Sequence, residues 1–201
     1  MGSESSIYAG LKPGTDSGTL HQALANQTLA DHLASFIPQP GDGVFLPAGT
    51  VHALGNDTVV FEVQENSDVT FRLYDWNRVD ARTGQPRALQ VDQALACIDF
   101  TQGPVGPVVA VVKTSSPVLC EQLFSCPHFR LWRWRGTVPF VVGAEGELRV
   151  LVCVAGTGVL EYAGTTYPIN KGDVLLLPAV IGACAYRPHG AVSLLEVGLP
   201  E

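Results

Sequence analysis

The sequence predicts a mainly β protein of two related barrels carrying a small helical insert, and three observations support that prediction. Beyond residue 107, short apolar runs at 118–124, 128–135, 148–154, 158–163, 173–177, 183–187 and 192–197 alternate with turn residues at Gly136, Gly143–Gly146, Ala163-Gly164 and Pro188–Gly190. Short strands at that spacing form sandwiches or barrels. The pattern Gly41-Asp42-Gly43-Val44-Phe45-Leu46-Pro47 also returns as Gly172-Asp173-Val174-Leu175-Leu176-Leu177-Pro178, so the second half repeats part of the first. Helical spacing, finally, is confined to two stretches, about 17–36 and 88–98.

In chain order, Ile7–Leu11 reads as a strand that Pro13-Gly14 breaks. Leu20, Ala23, Leu24, Leu29, Ala30 and Leu33 then keep helical spacing, for one or two helices starting near Asp16 or Ser17 and stopped by Pro38. His21 and His32 on this segment are weak ligand candidates, since surface helical histidines are usually just solvated. Val91–Ile98 is the second helical stretch, with Asp92 near its positive end. Residues 101–107 hold two Pro and two Gly and no core pattern, which makes them a linker between a domain at 1–100 and one at 108–201. Leu160-Glu161-Tyr162, Trp132, Trp134 and Phe140 read as packing residues of the second domain.

Composition narrows the function. The chain has 201 residues, 46% hydrophobic and 15% charged, enough for one large or two small buried domains. Lys+Arg 12 against Asp+Glu 19 gives a net charge of −7 with no basic cluster, which argues against nucleic acid and anionic membrane as partners. No apolar run has transmembrane length and no cationic, apolar leader is visible. Five cysteines without a C-x2-C pair predict reduced thiols in a cytoplasmic protein, with neither a disulfide framework nor a structural zinc site.

The stretch that concentrates the chemistry runs from Gly41 to Asn56. Val44-Phe45-Leu46 suits a buried strand, Pro47 and Gly49 a sharp reversal, and Val51–Leu54 a resumed strand that holds His52 in a fixed register. Rigidly placed neutral imidazole is a good donor for Zn, Fe, Ni or Cu. The bland alternative is a β-turn-β unit with a histidine packed beside it. The spacing G-x5-P-x-G-x2-H-x3-N resembles the second sequence motif of the cupin superfamily. At the repeat, Val180 stands where Gly49 stood and Ala183 where His52 stood, so the second barrel has lost the metal position.

Thr58–Glu65 and Val69–Tyr74 flank the turn Asn66-Ser67-Asp68 and read as a hairpin. Alternation groups Glu62 with Gln64, and Thr70 with Arg72 and Tyr74. Those polar faces either meet solvent or line a barrel interior, where Glu62, Gln64 and Arg72 would surround a small polar ligand.

From Gly41 to about Ile98 the words GDGVFLPAGTVHALG and VQENSDVTFRLYDWNR resemble the low-molecular-weight bacterial type of class I mannose-6-phosphate isomerase. The second word, with Ser67-Asp68, Arg72 and Asp75-Trp76-Asn77-Arg78 in fixed order, is the narrower one. The resemblance implies cupin-type jelly-roll barrels, a partial first and a degenerate second. It implies an isomerase interconverting mannose 6-phosphate and fructose 6-phosphate, with a sugar phosphate as partner and zinc as cofactor. His52 matches a metal ligand, with Glu62 a speculative second. Arg72 matches an arginine at the reacting carbons, and Asp68 and Arg78 match substrate-pocket positions. The other cupin motif, a His-bearing strand with a Lys-Pro-Glu segment, is expected upstream of Met1. Two classes of function stay open: an isomerase incomplete in this chain, and a non-catalytic cupin module for sugar-phosphate binding or interaction. Missing strands would leave an open sheet edge or apolar surface, which invites a homodimer.

Overall fold

A computed structural model describes residues 6–55, 57–67 and 69–200. Its contacts separate into two compact units, Met1–Val108 and Val109–Glu201.

The first unit is built on β1 (Ile7–Leu11), α1 (Ser17–Ala25), β2 (Leu33–Phe36), β3 (His52–Leu54) and α2 (Val91–Cys97). The strands form an antiparallel sheet in the order β2-β1-β3. Asp16 caps α1: its carboxylate accepts from the Thr19 backbone N–H at 2.7 Å and from the Thr19 hydroxyl, which holds its pKa below the usual range. The helical pattern was expected to run to residue 36, but α1 ends at Ala25. Gln27 turns left-handed at φ 59°, and Thr28 N–H reaches Ala23 O at 2.8 Å while Gln27 N–H reaches Leu24 O at 3.2 Å, a Schellman closure. After a 3-10 turn at Leu29–His32 the chain extends, and Leu33–Phe36 pairs with β1. The apolar positions that suggested a helix instead bury Leu29 and Leu33 beside Leu11, Leu20, Leu73, Ala94 and Leu95.

Three further expected strands are not formed. Val44-Phe45-Leu46 contributes one isolated bridge, Val44 to Pro107. The described residues of Thr58–Tyr74 contain no strand, and most of them are exposed. A strand requires a partner ladder, and β1 already has β2 on one edge and β3 on the other.

The second unit comprises β4 (Val111–Thr114), β5 (Leu119–Ser125), β6 (Arg130–Gly136), β7 (Phe140–Val142), β8 (Arg149–Ala155), β9 (Thr157–Tyr162), β10 (Thr165–Asn170), β11 (Val174–Leu177), β12 (Cys184–Pro188) and β13 (Val192–Gly198). They make two antiparallel sheets, β10-β9-β12-β7 and β11-β8-β13-β6-β5-β4. Val142, Leu160, Ile169, Cys184 and Tyr186 from the first sheet pack against Leu151, Cys153, Leu177, Val192 and Leu194 from the second, so the sheets share one core. All seven runs read from the sequence are strands, and this is the jelly-roll arrangement expected of a cupin.

One end of that core is charged. Glu196, 4% exposed, accepts from Trp134 Nε1 at 2.7 Å and from Gly143 N–H at 2.9 Å, and pairs with Arg149 at 3.2 Å. Arg130 and Arg149 both stack over Trp132, at 5.1 and 4.9 Å from its ring centre. Trp134 and Phe140 stack at 5.5 Å, in agreement with the packing role read from the sequence.

The internal repeat is exact in its hydrogen bonds. Gln39 N–H donates to Asp42 Oδ2 at 2.8 Å, and Asn170 N–H to Asp173 Oδ2 at 2.7 Å. The reverse bonds, Asp42 N–H to Gln39 O and Asp173 N–H to Asn170 O, are 2.9 and 3.0 Å. Gly41 and Gly172 hold φ of 95° and 96°, a region an L side chain rarely adopts. Thr50 N–H to Pro47 O and Ile181 N–H to Pro178 O close the following turn at 3.1 and 3.0 Å. Only the second copy continues as a strand, because β11 finds β8.

Candidate functional site

The two residues to which the sequence assigned chemistry, His52 and Arg72, are each tied to one end of α2. At its C-terminal end, Gly49 turns at φ 82°, and a β-carbon there would meet Cys97 O at 2.9 Å and Asp99 N at 3.1 Å. Asp99 N–H donates to Gly49 O at 3.1 Å. Thr50, 8% exposed, places Oγ1 2.6 Å from Pro47 O and 2.5 Å from Gln102 Oε1. The Gln102 amide in turn donates to Ala48 O and Asp99 Oδ2, both at 3.1 Å. Hydrogen bonds from the side chain and backbone of Thr101 hold the Asp99 carboxyl below its usual pKa, so it stays ionised as the acceptor of this knot.

His52 follows directly. It opens β3 opposite Ala9, its Nδ1 lies 2.9 Å from Thr50 O, and its side chain is exposed. That contact makes Nδ1 the protonated nitrogen and leaves Nε2 as the donor atom.

At the N-terminal end of α2, Gln90 N–H donates to Arg72 O and Arg72 N–H donates to Gln90 Oε1, both at 2.9 Å. Three residues further along each arm, Arg87 Nε donates to Asp75 Oδ2 at 2.7 Å, and Arg87 Nη2 closes on Asp75 Oδ1. Val79 bridges Pro86, and Asp80 N–H reaches Gln85 O at 2.9 Å. The stretches 75–78 and 82–87 are thus the arms of one closed hairpin. At its tip the Asp80 carboxylate accepts from Arg82 and Thr83 N–H at 2.8 and 3.0 Å.

Asp75 is 7% exposed. The hydrogen bond from Arg87, against the cost of burial, and then the positive charges of Arg87, Arg72 and Arg78 keep its carboxyl below the usual range. Arg87 holds the carboxylate directly, and Arg72 and Arg78 act on it through charge. Trp76 and Asn77 take left-handed φ of 50° and 54°, which turns the chain between Asp75 and Arg78. Arg78 stacks over Trp76 at 5.6 Å, and Trp76 packs on Tyr74 and Tyr8 at 5.2 and 5.7 Å.

Asp68 lies outside the described residues. Glu62 and Gln64 are exposed on coil, so they line neither a sheet face nor a barrel interior. A solvent-open concavity of about 560 Å³ is lined by Gln64, Glu65, Asn66 and Ser67, without His52 or Arg72. Among the described residues no three His, Cys, Asp or Glu side chains come together as a metal site. His52 and Glu62 by themselves supply two donors, and zinc takes three or four converging ones. Arg87 and Gln90 were not singled out from the sequence. Their one signal is the turn signature Asp80-x-x-Thr83-Gly84, which joins the two arms.

No family model matches the chain. The mannose-6-phosphate isomerase of Bacillus subtilis is 31% identical to it over 144 residues, 72% of this chain and 45% of that protein. That of Streptococcus mutans is 30% identical over 152 residues, 75% of this chain and 47% of that protein. The crystal structure of the mannose 6-phosphate isomerase from Bacillus subtilis superposes with a TM-score of 0.85 at 25% identity, covering 96% of this chain and 60% of that one. The chain spans about half the length of the curated relatives it matches. No helix among the described residues is long and apolar enough to cross a membrane. In sequence over seven-tenths of its length, and in backbone path over nearly all of it, this chain is similar to mannose-6-phosphate isomerases.

Proposed function

We propose that the chain contributes the sugar-phosphate-handling part of an isomerase that interconverts mannose 6-phosphate and fructose 6-phosphate. Residues 1–100 would be the partial catalytic cupin domain, 101–107 the linker, and 108–201 a degenerate cupin that retains the turn but not the histidine. The observation that carries this reading is Arg72, clamped by two 2.9 Å hydrogen bonds to Gln90 on a segment that has no sheet ladder.

Aldose–ketose exchange moves a proton between adjacent carbons through an enediolate. Arg72 would face the reacting carbons, where a fixed cation stabilises the developing negative oxygen more than it stabilises the substrate. Arg78 and Asp68 would bind the rest of the sugar phosphate. His52 would bring one donor to a zinc ion, with Glu62 a second only if its coil segment folds over. The described residues alone do not complete that centre.

The test compares the 201-residue chain with the same chain fused to the part of the Bacillus subtilis relative that the match leaves uncovered. The chain alone should purify with far less than one zinc and show no turnover of mannose 6-phosphate in a coupled assay. The fusion should hold about one metal, since three protein donors leave an open position for substrate oxygens, and should turn over. In the fusion, His52→Ala should lose the metal. Arg72→Ala should keep it and lose activity by about 3 kcal/mol of barrier, as removal of an oxyanion donor does. A fusion that holds metal and substrate yet never turns over would leave the non-catalytic module as the correct reading.

A further inference from the structure

We infer that Gln90 is a positioning residue for Arg72, and that α2 acts as a strut fixing the separation of Arg72 from the His52 turn. The inference rests on the proposed sugar-phosphate site and adds to it the residue that sets its geometry.

Arg72 lies in a segment without a sheet ladder, on exposed or half-buried coil. Such a backbone would leave the guanidinium free to wander by several ångströms, whereas stabilising a developing charge requires placement to a fraction of one. Gln90 supplies the missing ladder locally. It engages both the N–H and the C=O of Arg72 at 2.9 Å, which fixes the peptide planes on either side of its Cα. Gln90 is itself held, because its carbonyl accepts from Ala94 N–H at 2.9 Å as the first bond of α2. Ala94 and Leu95 anchor that helix in the core, beside Leu73, the neighbour of Arg72. The other end of α2 holds the His52 turn through the contact of Gly49 with Cys97 and Asp99. A seven-residue helix is about two turns at 3.6 residues per turn, too short to bend appreciably.

One of the two bonds uses the Gln90 side chain and the other its backbone, so the clamp can be opened halfway. The probe is mannose 6-phosphate itself, its affinity for the 201-residue chain measured by isothermal titration, with folding followed by near-ultraviolet circular dichroism. Gln90→Leu removes the acceptor and should weaken binding about tenfold, the worth of one half-buried hydrogen bond. Gln90→Glu keeps an acceptor and should stay within about threefold of the original. In an Arg72→Ala background, Gln90→Leu should add nothing, because a positioning residue has no effect once the group it positions is gone. Should leucine unfold the chain, Gln90→Asn, a methylene too short to reach Arg72, replaces it with the same expectations.

Unaltered binding by Gln90→Leu would overturn the positioning role alone. An equal loss with and without Arg72 would overturn it too, as a general structural effect. A parent chain that does not bind mannose 6-phosphate would overturn the functional reading, and the positioning role with it.

Discussion

Asp75 and Arg87 face each other across a closed hairpin as a forked ion pair, the Arg87 Nε–H reaching Asp75 Oδ2 at 2.7 Å. The pair seals the arm that carries Arg72 against the arm that carries Gln90. A bidentate guanidinium–carboxylate pair fixes orientation as well as charge, which an Asp–Lys pair would not.

Acid should open this hairpin first. The hydrogen bond from Arg87 lowers the Asp75 pKa below its unfolded value. Its stabilisation is therefore fully present above about pH 4, the ordinary aspartate pKa, and is lost as pH falls through the lower folded value. Urea midpoints of the parent and Asp75→Asn should differ at neutral pH and converge in acid. A gap that stays constant down to the lowest pH would exclude Asp75 as the titrating group.

Glu196→Ala should cost the second unit about 3 kcal/mol or more. It takes the acceptor from the Trp134 and Gly143 N–H groups and one of two carboxylates from the buried Arg149 guanidinium, which keeps Glu147 at 2.6 Å. Glu196→Gln keeps an acceptor for Trp134 and for Gly143 and should cost less. Denaturant unfolding of both variants gives the comparison, and equal losses would show that the hydrogen bonds matter less than the charge.

The thiols should separate by reactivity. Burial, reinforced by Glu196 and Glu121, raises the Cys120 pKa to about 11, and burial also raises Cys153 and Cys184. These three stay protonated at neutral pH and should react only on unfolding. Cys97 is exposed and should label first, with half-buried Cys126 slower. Mass-resolved alkylation checks the order, and early labelling of Cys120 or Cys153 would contradict this packing.

The segment from Leu54 to Phe71 should make the chain associate. Val59 is fully exposed and Val69 is 65% exposed, with Val60, Phe61 and Phe71 uncovered near them. Light scattering should show mass rising with concentration, and Val59→Asp with Phe61→Asp should reduce it. A chain that stays monomeric throughout would argue against the homodimer expected from the sequence.

The second unit was legible because alternation reports burial on one face, and its strands have partners on which to express it. Three strands went unread there, β4, β7 and β10. Val111–Thr114 is exposed throughout, Phe140–Val142 is only three residues long, and Thr165–Asn170 buries only Ile169. In the first unit the same reading overshot. By the repeat, Phe61–Glu65 corresponds to Val192–Glu196, the first five residues of β13, which in the second unit lies between β8 and β6. The described residues of the first unit supply no counterpart of either, so strand-forming residues remain coil. His52 and Arg72 could be picked out as single residues. Gln90 and Arg87 could not, because their value lies in pairing across a loop that carries no periodic pattern.

The aromatic residues described above also divide the molecule optically. Of the three tryptophans, Trp76 belongs to the first unit, while Trp132 and Trp134 belong to the second. Trp76 sits beneath a guanidinium beside the candidate site, and Trp134 is bonded to a carboxylate deep in the other unit. Replacing Trp76 with Phe leaves emission from the second unit alone, and replacing the other two leaves a single fluorophore beside Arg78. The chain thus carries an intrinsic gauge for each half, through which unfolding of one can be timed against unfolding of the other.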